Sequence, residues 1–165
     1  MLRHGSGARH NHAGGIAGEL NGASTTITDC FNAGTVKGLN EVASISGGGS
    51  TACYVGGIVG YTTNGSVTNC YNIGDLSSNK TSLGGISGYT VTATVFTNCY
   101  WYKGISAVTK AISGGTANNV LELRNIDMKA SLSFTGFDFT NIWTIDEGIS
   151  SPYLRALPKP SSVNF

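Results

Sequence analysis

The chain has 165 residues, 40% of them apolar and 12% charged, with a formal net charge of +1. That balance gives no electrostatic footprint for a nucleic acid or an acidic membrane surface, and the apolar share is too high for intrinsic disorder. No apolar run is long enough to span a membrane, and Met1-Leu2-Arg3-His4-Gly5 lacks the apolar segment of a secretory signal, so a signal for export would lie upstream or have been removed.

Residues 1–13 are rich in Gly, Arg and His, carry no repeat, and are expected to be a disordered or artificially appended leader. His10 and His12 are spaced to reach one side of an extended strand, and His4 lies nearby. No carboxylate or cysteine is close in sequence to complete a metal site, so no metal and no cofactor is expected.

From Gly14 onward a block recurs three times. It reads Gly14-Gly15-Ile16-Ala17-Gly18 with Ile27-Thr28-Asp29-Cys30-Phe31-Asn32 and Gly34. The second copy reads Gly56-Gly57-Ile58-Val59-Gly60-Tyr61 with Val67-Thr68-Asn69-Cys70-Tyr71-Asn72 and Gly74. The third reads Gly84-Gly85-Ile86-Ser87-Gly88-Tyr89 with Phe96-Thr97-Asn98-Cys99-Tyr100. The starts are 42 and 28 residues apart, yet the cysteines fall 16, 14 and 15 residues after each start, so the block is fixed and the linker varies. Self-similarity at this period marks a repeat architecture. Glycine is present at about twice its usual share of roughly 7%, at matching points of the block, where it serves positive φ or close backbone approach.

Within a block no apolar stripe of helical period persists. Short β-branched and aromatic runs broken by Gly and Asn point to short strands and tight turns. A fixed motif returning after each circuit places like residues above one another, so the expected fold is all-β, a right-handed parallel β-helix or β-solenoid of about three to four coils with a C-terminal cap. The expected solenoid runs over 14–102, with repeats 14–36, 56–76 and 84–102. Gly15, Gly57 and Gly85 would share one stacking position. Ile16, Ile58 and Ile86 would form an inward column, with Ile27, Val67 and Phe96 a second and Cys30, Cys70 and Cys99 a third. Asn32 and Asn72 would hydrogen-bond from coil to coil, a ladder ending at Trp101.

Residues 37–55 form a long linker, expected as a partial extra coil rather than a protruding loop. After Tyr102 the repeat is expected to stop. The apolar spacing within 118–129 fits a short helix with an Asn cap and fits a strand equally well. The aromatic residues Phe134, Phe137, Phe139 and Trp143 mark 103–165 as a capping segment that closes one end.

The triplicated Gly-Gly-Ile-x-Gly and Thr-Asn-Cys-Tyr-Asn-x-Gly pattern resembles the GLUG-type repeat of bacterial surface adhesins and secreted proteins. Tyr100-Trp101, Phe134, Gly136-Phe137-Asp138-Phe139, Trp143-Thr144-Ile145 and Pro152-Tyr153-Leu154 resemble the segment that commonly follows such repeats. The resemblance covers roughly 14 to 155. It implies an extracellular or cell-surface, elongated module of a longer chain. The first repeat departs from it with Asp29 and Phe31.

Catalytic chemistry finds little support. Glu19, Asp29, Glu41 and Asp75 are widely separated, and a paired-carboxylate mechanism needs two groups at a defined distance. Asp146-Glu147-Gly148 reads as a solvated turn, and Asp138 as a structural contact with Arg155 or Arg124. The cysteines are expected as buried free thiols, because parallel stacked side chains match disulfide geometry poorly, with a bridge through Cys53 the alternative. Thr90, Thr92 and Thr94 alternate along one strand and, with Tyr61 and Tyr89, form the candidate binding surface. A flat Thr array would also suit an ice-binding surface. The leading expectation is a non-enzymatic stalk or binding surface for a glycan or a host protein, prone to end-to-end self-association, with a carbohydrate-active β-helix enzyme as the alternative.

Overall fold

The computed structural model describes residues 11–39, 53–79, 82–105, 107–115 and 119–164, apart from the side chain of Thr92. Strands dominate, and the described residues contain no α-helix. The first repeat contributes β1 (Asn11–Gly14), β2 (Ala17–Leu20), β3 (Thr26–Thr28), β4 (Phe31–Asn32) and β5 (Val36–Gly38). The second contributes β6 (Cys53–Gly56), β7 (Val59–Thr68), β8 (Tyr71–Asn72) and β9 (Leu76–Ser78). The third contributes β10 (Ser82–Gly84), β11 (Ser87–Thr97) and β12 (Cys99–Tyr102).

Every pairing between repeats is parallel and joins like positions. Gly14 and Gly84 flank Gly56, Ile27 and Phe96 flank Val67, Phe31 and Tyr100 flank Tyr71, and Val36 pairs with Leu76. Parallel strands need a long crossover. Here the remainder of each repeat supplies it.

Two boundaries differ from the sequence expectation. Strand β1 starts at Asn11, so the last residues of the expected leader pair with β6. A fourth, degenerate repeat follows Tyr102: β13 (Ile112–Gly114) pairs with β11, and β14 (Val120–Leu123) pairs with β12. The strand alternative for residues after 118 therefore holds over Val120–Leu123, and Asp127–Lys129 forms a short 3-10 turn. Of the expected linker, 37–38 close β5 and 53–55 open β6, while 40–52 lie outside the described residues.

A sharp corner between β3 and β4 recurs in all four repeats. Asp29, Asn69, Asn98 and Asn119 adopt φ of 50°, 52°, 51° and 59°. Among residues with a Cβ, Asn and Asp enter this left-handed region most readily, because their short polar side chains hydrogen-bond locally. The corner reverses the chain so that the next residue, Cys30, Cys70 or Cys99, turns inward.

Ile58, Ile86, Val67 and Cys99 are wholly enclosed in a continuous core. Burying a side chain such as Ile58 contributes about 1.5–3 kcal/mol. Ile16, in the same column, is 43% exposed, since no described residue stacks beyond the first repeat. Trp101 occupies the place of Asn32 and Asn72, and Gly85 makes room for its ring, because a Cβ there would lie 2.5 Å from ring carbons.

The tail packs along the side of the stack. Phe134, Phe137, Trp143 and Met128 form a second core with Tyr71, Tyr100 and the half-buried Phe31. Those last three rings come from three successive repeats, so the tail covers a flank, and the fourth repeat rather than the tail extends the end. Strands β15 (Trp143–Thr144) and β16 (Tyr153–Leu154) form an antiparallel pair within the tail.

Candidate functional site

Two side-chain ladders run along the stack. In the inner one, Asn32 Nδ2 donates to Asn72 Oδ1 at 2.8 Å, and each amide also accepts from the N–H and donates to the C=O of the glycine two residues on, Gly34 or Gly74. This explains the Asn-x-Gly spacing of the motif. The outer ladder uses the corner residues. Asn98 Nδ2 donates to Asn69 Oδ1 at 3.1 Å, and Asn69 Nδ2 donates to Asp29 Oδ1 at 3.3 Å. The tail docks on this ladder: Gly136 packs so closely that a Cβ would lie 1.9 Å from Asn98 Nδ2.

Tyr61 and Tyr89, singled out from the sequence, do come together, joined by Tyr54 and by His12, which the sequence had offered only as a metal ligand. His12 and Tyr61 stack with ring centroids 4.6 Å apart, Tyr54 and Tyr61 at 5.6 Å, and Tyr61 and Tyr89 at 5.8 Å. Tyr54 and Tyr89 are 5.0 Å apart. At Gly60 and Gly88 the backbone presses on the preceding repeat, because a Cβ would lie 2.6 Å from the Ala13 nitrogen in β1 and 2.5 Å from the Val55 nitrogen in β6. The four rings lie side by side on β1, β6, β7 and β11. Their faces are spent on one another, with His12 also 3.7 Å from Glu19. Burial, reinforced by the neighbouring phenols of Tyr89 and Tyr61, pushes the Tyr54 phenol up.

The threonines do not form an exposed array. Thr62, Thr90 and Thr94 are buried, with Thr94 Oγ1 donating to Thr62 Oγ1 at 2.9 Å and Thr90 Oγ1 to Ser87 Oγ at 3.1 Å. Thr90 and Thr94 lie on one face, as period two requires, and that face is the inner one: Val91, Ala93 and Val95 are the exposed neighbours. Buried threonines leave no flat Thr plane of the kind an ice-binding surface would need. The placement of Thr92 is limited to its backbone in β11.

The four cysteines are free thiols. Cys53, Cys70 and Cys99 are buried, and Cys30, in the end repeat, is half-exposed. The hydrogen bond from Cys70 lowers the Cys30 thiol to about 7 against the opposing effects of burial and the Asp29 charge. The same contact and burial push Cys70 up, and burial raises Cys99 to about 11.

The carboxylates have structural partners. Asp138 accepts from the N–H groups of Thr140 and Asn141 and from Asn141 Nδ2, which holds its carboxyl below the usual range. Arg155 donates instead to the Phe139 carbonyl, and Arg124 pairs with Asp127. Asp146 pairs with Lys159, and Glu147 accepts from the Ser131 N–H. Among the described residues no group of three metal-ligating side chains converges. His4 and His10 lie outside the described residues.

Beside the outer ladder, between the tail and the fourth repeat, lies a groove of about 460 Å³ lined by Thr97, Asn98, Tyr100, Asn119, Leu121 and Thr135. Sequence reasoning missed it, because it depends on the degenerate repeat. The one signal was Asn119-Val120, which repeats the Asn98-Cys99 step with Val in place of Cys.

Parallel in-register stacking, Gly-tight corners and Asn ladders define an all-β repeat protein. The matching family is that of the GLUG motif, whose model covers residues 51–77, the second repeat. No curated protein and no solved structure matches the chain. No helix among the described residues is long and apolar enough to cross a membrane.

Proposed function

We propose that the chain is a non-enzymatic repeat module of a bacterial cell-surface or secreted protein, built as a right-handed parallel β-helix and serving as a stalk or binding surface for a glycan or a host protein. The observation that carries this reading is the register: identical motif positions pair in parallel through successive repeats. Such a stack grows by adding repeats, so it suits an elongated spacer. The GLUG motif of the second repeat supports a repeat module.

Two of the carboxylates open to the enzyme alternative have structural contacts. Asp29 terminates the outer ladder, and Glu19 lies beside His12. The test is incubation with a panel of neutral and acidic polysaccharides, reading reducing ends and unsaturated products. The expected result is no turnover. Turnover abolished by Asp29→Asn or Asp75→Asn would overturn the reading.

End-to-end association belongs to the same proposal, because Ile16 is left exposed at the first repeat and no described strand pairs with the outer edge of its strands. Light scattering should show mass rising with concentration and falling back in Ile16→Glu. A strict monomer at all concentrations would remove this element.

A further inference from the structure

The outer ladder has two unlike ends. At the first repeat Asp29 accepts hydrogen bonds. At the other end Asn98 spends its Nδ2 on Asn69, while its Oδ1 accepts no hydrogen bond from a described residue. The next corner residue, Asn119, is exposed, shares the left-handed conformation at φ 59°, and its carboxamide has no hydrogen bond to a described residue. Both amides open on the groove walled by Thr97, Tyr100, Leu121 and Thr135.

The lining has a definite chemistry. Two carboxamides and the two threonine hydroxyls offer both donors and acceptors, and none of the described lining residues is acidic or basic. Leu121 is 58% exposed and the Tyr100 phenol is committed to the Thr135 carbonyl at 3.2 Å, so the apolar part of the wall is one aliphatic side chain and one ring edge. A sulfate, phosphate or carboxylate would surrender hydration here with no countercharge to replace it. A sugar fits: its hydroxyls donate and accept, and its C–H face covers Leu121. The volume lies within the roughly 300–1,000 Å³ of small-molecule sites.

We propose that this groove binds a neutral carbohydrate, whose hydroxyls take the place of the next rung of the Asp29-Asn69-Asn98 ladder. The inference rests on the reading of the chain as a binding module and names where and what it binds. The tail has a part in it, because Thr135 forms one wall.

The test uses the full chain, labelled with nitrogen-15 and titrated with neutral gluco-, manno-, xylo- and galacto-oligosaccharides, with oligogalacturonate and an unrelated peptide library as comparators. The expected result is saturable shifts of the Asn98 and Asn119 side-chain amides with at least one neutral oligosaccharide. Asn119→Gly keeps the left-handed corner and removes the carboxamide, and Leu121→Ser removes the exposed aliphatic wall. Each should weaken binding at least about tenfold while the remaining amide spectrum stays in place. Neutral-sugar binding that both variants leave intact would overturn the groove while leaving the module reading in force. Preference for the charged oligosaccharide or for a peptide would likewise overturn it. Failure of the module reading shows separately, as polysaccharide turnover.

Discussion

Trp143 donates its indole N–H to Asp29 Oδ1 at 3.2 Å, joining residues 114 positions apart. The same oxygen accepts from Asn69 Nδ2, and Oδ2 accepts from Thr28 Oγ1 at 3.1 Å. A carboxylate is acceptor-only, so it suits a ladder end that meets three donors. This accounts for the departure of the first repeat, where Asp stands in the position of Asn69 and Asn98. Replacing Asp29 with Asn should cost less than about 1 kcal/mol, because one oxygen still accepts and the Thr28 hydroxyl can turn to accept from the new amide. Asp29→Ala should cost about 2–3 kcal/mol, adding lost charge-assisted bonds to a left-handed backbone that Ala disfavours. A double-mutant cycle of Asp29→Ala with Trp143→Phe, followed by urea unfolding, should return a coupling of about 1–2 kcal/mol. Coupling near zero would show that the tail is held by its aromatic contacts alone.

The repeated block was legible because its spacing is rigid where backbones touch. Gly57 has no room for a Cβ, which would lie 2.2 Å from the Gly85 carbonyl oxygen, and Asn72 is fixed by its bonds to Asn32 and Gly74, so the sequence repeats both kinds of residue. Trp101 was legible as the end of the inner ladder for the same reason. The fourth repeat was hidden, since Val120 stands in place of Cys and Gly114 in place of Tyr, where a Cβ would lie 2.5 Å from the Tyr89 ring. Thr90 and Thr94 misled because period-two alternation gives a shared face without saying which face is buried, and here the face they share with Phe96 is the inner one. The tail's aromatic residues were visible as a cluster. Their docking on a flank could not be read, because Phe31, Tyr71 and Tyr100 become one surface only after stacking.

Stacking makes the same motif glycine indispensable in one repeat and replaceable in another. A Cβ on Gly74 would lie 2.0 Å from the Gly34 carbonyl oxygen, whereas a Cβ on Gly34 meets nothing closer than 3.6 Å. Gly34→Ala should therefore change stability by no more than about 1 kcal/mol, with some gain from a less flexible unfolded chain. Gly74→Ala should cost about 2–3 kcal/mol or more, because a backbone carbonyl of the facing repeat must move. Thermal unfolding of the two variants side by side gives the comparison. Equal losses would contradict the parallel register.

The thiols should separate by burial. In native protein one thiol, Cys30, should react with iodoacetamide, with a rate that rises through a midpoint near its pKa of about 7. After denaturation without reductant all four should react, as no bridge joins them. The pH dependence of stability carries both signs. Cys30 is depressed in the fold, so its contribution is present above its ordinary value and is lost as pH falls through about 7. Cys99 is raised to about 11 from an ordinary 9.0, so its contribution is complete below 9.0 and is lost as pH rises through about 11. Cys70, Tyr71 and Tyr100 are raised as well and act in the same direction as Cys99. Urea midpoints should fall steeply on the alkaline side, and Cys99→Ala should flatten part of that fall. A midpoint constant to strong alkali would mean the column is open to solvent.

Tyr71 ties the stack to the tail. Its wholly buried phenol donates to the Pro152 carbonyl, and its ring meets Phe134 edge-on at 5.5 Å and Trp143 at 5.9 Å. Burial alone raises that phenol well above its ordinary value, so it stays a donor at any physiological pH. Tyr71→Phe keeps the ring and strands the buried Pro152 carbonyl, at a cost of about 1–3 kcal/mol. The loss should be local. Hydrogen exchange should speed up at Trp143 and Arg155, whose N–H groups are bonded within the tail, while Val67 and Phe96 in the stack keep their protection. Tyr100→Phe is the milder counterpart, since its partner, the Thr135 carbonyl, belongs to an exposed residue that water reaches. If Tyr71→Phe loosens stack and tail together, the two form one cooperative unit, and the tail is then required for the repeats to hold rather than laid over a stack that stands without it.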